Sequence, residues 1–189
     1  MANGETERED PRVTRTRELI EKAFYELLME KSLHALTIGD ITDCARINRA
    51  TFYAHFEDKY ALYRHVVRNT FAQIFVKTLD GRWEDREAQL RAVVCATCRF
   101  FQELNATCPP TDRRTRPLVE VEVQQQIYNY LLCWLQQAEQ NGATLPASAA
   151  LTAQMASWAI FGAALDWEGP YQTVDELAEQ IYAVVSRLC

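Results

Sequence analysis

Thr37–Leu62 reads TIGDITDCARINRATFYAHFEDKYAL. Its capping and apolar residues are spaced for two short helices around a tight turn, followed at once by a third, longer helix. Thr37 and Asp40 stand in the Ser/Thr-x-x-Asp/Glu relation of a capping box, so a helix is predicted from Ile38. Ile38, Ile41 and Ala45 recur at helical spacing and give that helix one apolar side. Arg46-Ile47 forms the turn, with Ile47 as an apolar plug, and Asn48 caps the second helix. Phe52 and Phe56, four residues apart, face inward, which leaves Arg49, Ala50, Thr51, Tyr53 and His55 nearer the outside. Asp58 caps the helix that starts at Lys59, and Leu62 points back to the core. A helix of about eight residues is not stable alone in water, so its neighbours must hold it rigidly. Small, basic and aromatic residues gathered on one short, supported helix suit a reader of the DNA major groove.

These residues resemble the DNA-binding domain of the TetR family of bacterial transcriptional regulators. The resemblance rests on Thr37, Ile41, Ala45, Thr51-Phe52-Tyr53, His55-Phe56, Lys59 and Leu62. Helix 1 adds Arg15-Thr16-Arg17-Glu18-Leu19-Ile20, Ala23-Phe24 and Leu27-Leu28. Roughly residues 14–65 carry it, and beyond them the likeness is one of architecture. The family commonly has Gly where Arg46 stands and Ser where Asn48 stands. Asn is an equally good cap, whereas Arg46 must adopt whatever backbone shape a glycine would have taken. The resemblance implies that Arg49, Ala50 and Thr51 lie near base edges, and that Tyr53, His55, Lys59 and Thr37 contact phosphates. Arg paired to guanine discriminates bases by about 1–3 kcal/mol, which makes Arg49 the principal specificity candidate. Tyr53 and His55 also admit a packing role, and Ala50 that of a plain helix former.

Charge supports this reading only locally. The chain carries a formal net charge of −6, and residues 1–65 hold ten Lys and Arg against twelve Asp and Glu. Cys44–Phe56, however, contains Arg46, Arg49 and His55 and no acid, and Arg12, Arg15 and Arg17 form a second basic group. At a Debye length of about 8–10 Å the local field governs short-range contact, while the acidic balance weakens non-specific binding.

The rest reads as helix, with Asp80-Gly81, Pro109-Pro110, Asn141-Gly142 and Gly169-Pro170 as breaks and Thr173/Glu176 as a second capping box. Pro117 opens another helix or the first turn of the long one from Val119 to Gln140. The expected fold is all-α with about nine helices. It divides into a polar arm at 1–13, a three-helix reader at 14–62 and a helical effector-binding and dimerisation domain at 63–189. The longest apolar stretch, Trp158–Leu165, is far short of the about 20 residues that span a bilayer. No secretory segment opens the chain, so a cytoplasmic protein without membrane contact is expected. Enzymatic function is not expected: there is no G-x-S-x-G, Gly-rich phosphate loop, H-E-x-x-H or βαβ pattern. No cofactor and no metal site are expected either.

The helix with Trp158, Ala159, Phe161, Ala163 and Leu165 is apolar nearly all round, which predicts burial on all sides. With the last helix it suggests a four-helix homodimer interface of Trp158, Phe161, Leu165, Leu177, Ile181, Val184 and Leu188, as the family resemblance also implies. The two-fold axis would match a palindromic operator on double-stranded DNA. By resemblance the second domain holds a pocket for a small apolar or aromatic effector. Helix position assigns its lining to Phe75, Cys98, Phe101, Tyr128 and Trp158, although aromatic residues at helical spacing are commonly core. The resulting expectation is a repressor released from its operator by the effector. Two alternatives stay open: a redox-responsive regulator acting through Cys95 and Cys98, and a helical protein-interaction module without DNA binding. Six cysteines in a cytosolic setting otherwise read as buried free thiols.

Overall fold

The computed structural model describes residues 10–81, 85–107, 115–165 and 173–188, and these form eight α-helices with no strand among them. The amino-terminal unit runs to Val66 and the second begins at Val67, about one helical turn beyond the boundary expected from sequence. In the first unit lie α1 (Pro11–Glu30), α2 (Ile38–Ala45), α3 (Arg49–His55) and the start of α4 (Lys59–Leu79).

Each start has a chemical cause. The Asp10 carboxylate accepts the Arg12 N–H at 2.9 Å, and Pro11 fits the first position, where no N–H is needed. Residues 10–13 of the expected arm therefore cap or belong to α1, while 1–9 lie outside the described residues. Thr37 and Asp40 form the reciprocal capping box, the Thr37 N–H donating to Asp40 Oδ2 at 2.9 Å and the Asp40 N–H to Thr37 Oγ1 at 3.1 Å. Asn48 Oδ1 accepts the Thr51 N–H at 2.7 Å, and Asp58 Oδ1 accepts the Ala61 N–H at 2.6 Å. Ile20, Phe24, Leu33, Leu36, Ile41, Phe52 and Leu62 fill the core of this unit.

The turn between α2 and α3 is a Schellman motif built without glycine. Ile47 N–H reaches the Thr42 carbonyl at 3.0 Å and Arg46 N–H the Asp43 carbonyl at 3.3 Å, with Arg46 at φ 55°, ψ 45°. A side chain in that left-handed region costs about 1–2 kcal/mol. Arg46→Gly is therefore expected to raise the melting temperature by roughly 2–4 °C for each kcal/mol recovered, read by thermal circular dichroism. An unchanged or lowered midpoint would show that the arginine side chain offsets the strain.

The second unit holds the rest of α4, α5 (Arg86–Thr107), α6 (Arg116–Gln140), α7 (Ala149–Leu165) and α8 (Val174–Val185). Pro117, the second residue of α6, leads directly into the long helix, and the described residues show eight helices, close to the nine expected. Val119, Val123, Ile127, Leu131 and Leu135 repeat every fourth residue and bury one side of α6, which packs most extensively on α7. α5 packs on α8. There Arg91 pairs with Glu179 and with Glu87 and lies 3.7 Å from the centroid of the Tyr182 ring. α7 is small-residue-rich where it is buried, at Ala153, Ala156 and Ala164. It is not covered on every side, because Leu151, Met155 and Trp158 are exposed. The expected breaks at Pro109-Pro110 and Gly169-Pro170 lie outside the described residues. No helix among the described residues is long and apolar enough to cross a membrane.

Candidate nucleic-acid interface and effector cleft

α3 has seven residues and depends on its surroundings. Phe52 is fully buried and Phe56 nearly so, their rings 6.0 Å apart, while Phe56 also meets His65 edge-on at 5.3 Å. His65 Nε2 lies 2.8 Å from Glu21 Oε1, which ties α4 to α1 behind the reader. With its inner side fixed, α3 turns Arg49, Ala50 and Tyr53 outward, Tyr53 being 55% exposed. The Thr51 hydroxyl donates to Asn48 Oδ1 at 2.9 Å and is half-buried, so it belongs to the cap as much as to the surface. His55 is half-buried with its ring tilted against Phe56. Arg46, Arg12 and Arg15 are exposed as well, and supply cations beside α3 and on α1.

Two expected phosphate contacts have other occupations. Lys59 Nζ donates to the carbonyls of Leu36 at 2.6 Å and His34 at 3.0 Å, spending two of its three donors inside the unit. The Thr37 hydroxyl donates to Asp40 Oδ2 at 2.8 Å. The Thr37 hydroxyl and backbone N–H, together with Lys31, hold the Asp40 carboxyl down at about 2, so the cap keeps its charge at neutral pH.

In the second unit a cleft of about 430 Å³ opens among α4, α5 and α6. Phe75, Leu90, Val93, Tyr130, Leu131 and Trp134 form its apolar walls, with Gln89, Gln137 and Cys133 as neutral polar groups. The Phe75 and Tyr130 rings lie 4.4 Å apart at 33°, and burial raises the Tyr130 hydroxyl. Of the five residues expected to line a pocket, only Phe75 borders this cleft. Cys98 and Phe101 are fully buried in the core, Phe101 against Phe100 and Phe161. Tyr128 is half-buried and Trp158 stands 54% exposed on α7. The lining on α6 follows a three-and-four stripe from Tyr130 through Cys133 and Trp134 to Gln137. That signal was present in the sequence, but it was masked by polar Gln and by the rule that aromatic residues mark core.

The expected dimer residues divide in the same way. Trp158 and Val184 are exposed, Val184 at 63%, and Leu165, Leu177 and Leu188 are half-buried. Phe161 and Ile181 instead turn into the unit's own core. Leu151 and Met155, four apart, extend the exposed apolar side of α7 with Trp158. Burial pushes Cys98 up to about 12 and raises Cys95 as well, which disfavours the thiolate form of both. Cys108 and Cys189 lie outside the described residues, and no metal-competent cluster of His, Cys, Asp and Glu occurs among the described residues.

Residues 14–66, from α1 to the end of the first unit, match the family model described as bacterial regulatory proteins, tetR family. The likeness to the tetR family is thus carried by the amino-terminal unit. A 75-residue stretch is 45% identical to the uncharacterised HTH-type transcriptional regulator YxbF of Bacillus subtilis (strain 168), covering 38% of this chain and 20% of that protein. A 90-residue stretch is 34% identical to the HTH-type dhaKLM operon transcriptional activator DhaS of Lactococcus lactis subsp. lactis (strain IL1403), covering 47% of this chain and 48% of that one. The matches thus span no more than about half the length of these curated relatives. A putative TetR-family transcriptional regulator from Rhodococcus sp. has a similar structure. Its TM-score is 0.62 at 14% identity, over 93% of this chain and 98% of that chain. The dihydroxyacetone kinase operon activator DhaS gives 0.56 at 18% identity, over 92% and 96%. At such identities the likeness concerns the fold alone.

Proposed function

We propose that this chain is a sequence-specific, ligand-responsive transcriptional regulator that binds duplex DNA as a homodimer. The observation that carries this reading is the pairing of fixed and free sides on α3. Phe52 and Phe56 are buried while Arg49, Ala50 and Tyr53 face outward, within a tetR-family domain. Arg49, Ala50 and Thr51 read base edges, and Tyr53 and His55 contact the backbone. Lys59 contributes its one remaining donor. The exposed apolar side of α7 supports dimerisation through Trp158 and Met155, with Val184 on α8 beside the half-buried Leu165, Leu177 and Leu188.

The cleft bounded by Phe75, Tyr130 and Trp134 is the effector site in this proposal. Its described lining carries no charged residue, which favours a small, neutral, flat molecule. α4 is the lever, since Lys59–Val66 belong to the reader and Phe75 to the cleft wall. A ligand that prefers one position of α4 moves the reading heads off half-sites spaced about 34–36 Å apart. Carrying the equilibrium from 1:99 to 99:1 takes about 5.5 kcal/mol of differential binding. We propose repression relieved by ligand. The relative DhaS is named an activator, and a promoter fusion assigns the sign.

Cyclic selection from a randomised duplex pool tests the reading. Enrichment of an inverted repeat, bound by a species that sediments as a dimer, is the expected result. A pool that stays random, or a protein that remains monomeric at micromolar concentration, overturns it. Ligand response is read by titrating neutral aromatics such as 2-naphthol into the selected complex. If every molecule that binds leaves duplex affinity unchanged, the effector half of the proposal fails.

A further inference from the structure

Gly39 occupies the second position of α2, in ordinary helical conformation, where nothing in the backbone requires glycine. Helix propensity disfavours it: alanine is better by up to about 1 kcal/mol in a helix interior. Its hydrogen-bonding role is generic, because the Thr42 hydroxyl donates to its carbonyl at 3.0 Å and any residue supplies that oxygen. What glycine alone supplies is space. A Cβ at this position would lie 3.0 Å from Nη2 of Arg49 and 3.4 Å from Oγ1 of Thr37. The end of the arginine that opens α3 therefore lies against the bare Cα of α2.

We infer that Gly39 is a specificity-determining position, whose missing side chain sets where the Arg49 guanidinium is held. The inference rests on the reading of Arg49 as the base-contacting residue. A long, exposed arginine loses rotamer freedom when it pairs bidentately with a base. A shallow seat across the first turn of α2 limits the directions it explores before DNA arrives. A Cβ at residue 39 moves the guanidinium by a few tenths of an ångström, and a longer side chain evicts it. Because the atom displaced is the far end of a flexible side chain, the fold itself bears little of this change. Stability and base preference are thus predicted to move independently.

The test uses the full chain and duplexes selected by the unaltered protein, each with single base-pair variants, in a binding titration at fixed salt. Gly39→Ala is expected to alter discrimination at one base pair of each half-site about threefold, and Gly39→Gln about tenfold. The melting temperature should stay level or rise. In an Arg49→Ala background both substitutions should have no further effect on discrimination, since coupled residues lose additivity. Unchanged preference in Gly39→Gln overturns the inference. So does equal weakening toward every duplex, or an effect that persists without Arg49. Should Gly39→Gln melt early, Gly39→Ala alone decides by the same criteria. If the unaltered protein selects no duplex, the underlying reading of the reader has failed, and this is seen before any variant is made.

Discussion

Replacing Arg49 by alanine is expected to flatten base preference at one position of each half-site by roughly 5- to 150-fold, the equivalent of about 1–3 kcal/mol. Arg49 is exposed and its loss uncovers no core, so the melting temperature should not move appreciably. Binding to unrelated duplexes should weaken only modestly, and the salt dependence of affinity should change little. The measurement is a titration of selected and single-substituted duplexes at two salt concentrations. If every duplex is weakened alike and the salt slope drops by about one, Arg49 contacts a phosphate and the specificity assignment is wrong.

Phe52→Ala attacks the same function from the other side of α3. Phe52 is completely buried and packs on Phe56 and the edge of Tyr53. Truncating such a ring costs about 3–5 kcal/mol, much of the total stability of a small domain. Seven helical residues have no independent stability, so α3 should come loose and all duplex binding should be lost together. Amide hydrogen exchange should show protection lost across residues 38–56 while α6 and α7 remain protected. If this variant kept the protection of α3 and also lost binding, Phe52 would have to be a contact residue, against its burial.

The reader was legible because its signals are local. Thr37 with Asp40, Asn48 and Asp58 name three helix starts from side-chain chemistry alone, and all three hydrogen bonds are formed. Phe52 and Phe56 revealed the inner side of α3 by spacing. Arg46 departs from the family's glycine, yet takes the left-handed conformation that a glycine would take. Lys59 was less legible, because its carbonyl partners His34 and Leu36 are more than twenty residues away and carry no side-chain signal.

Distance in sequence also explains the second unit. Phe101 and Tyr130 look alike as aromatic residues at helical spacing, but one is sealed in the core and the other borders a cleft. That difference depends on how α5 and α6 face one another, which periodicity within either helix does not encode. Phe161 and Ile181 illustrate the same limit. Both lie on helices with exposed apolar residues, yet both point into their own unit.

The bond pattern of Lys59 has a mechanical consequence inside the reader. Its ammonium grips the carbonyls of His34 and Leu36, and Leu36 immediately precedes Thr37, where α2 begins. Displacing the first turn of α4 is therefore expected to draw the α1–α2 corner with it and re-aim α2. Motion imposed at that turn passes forward as the swing of a jointed arm, with no need to melt the helices it moves.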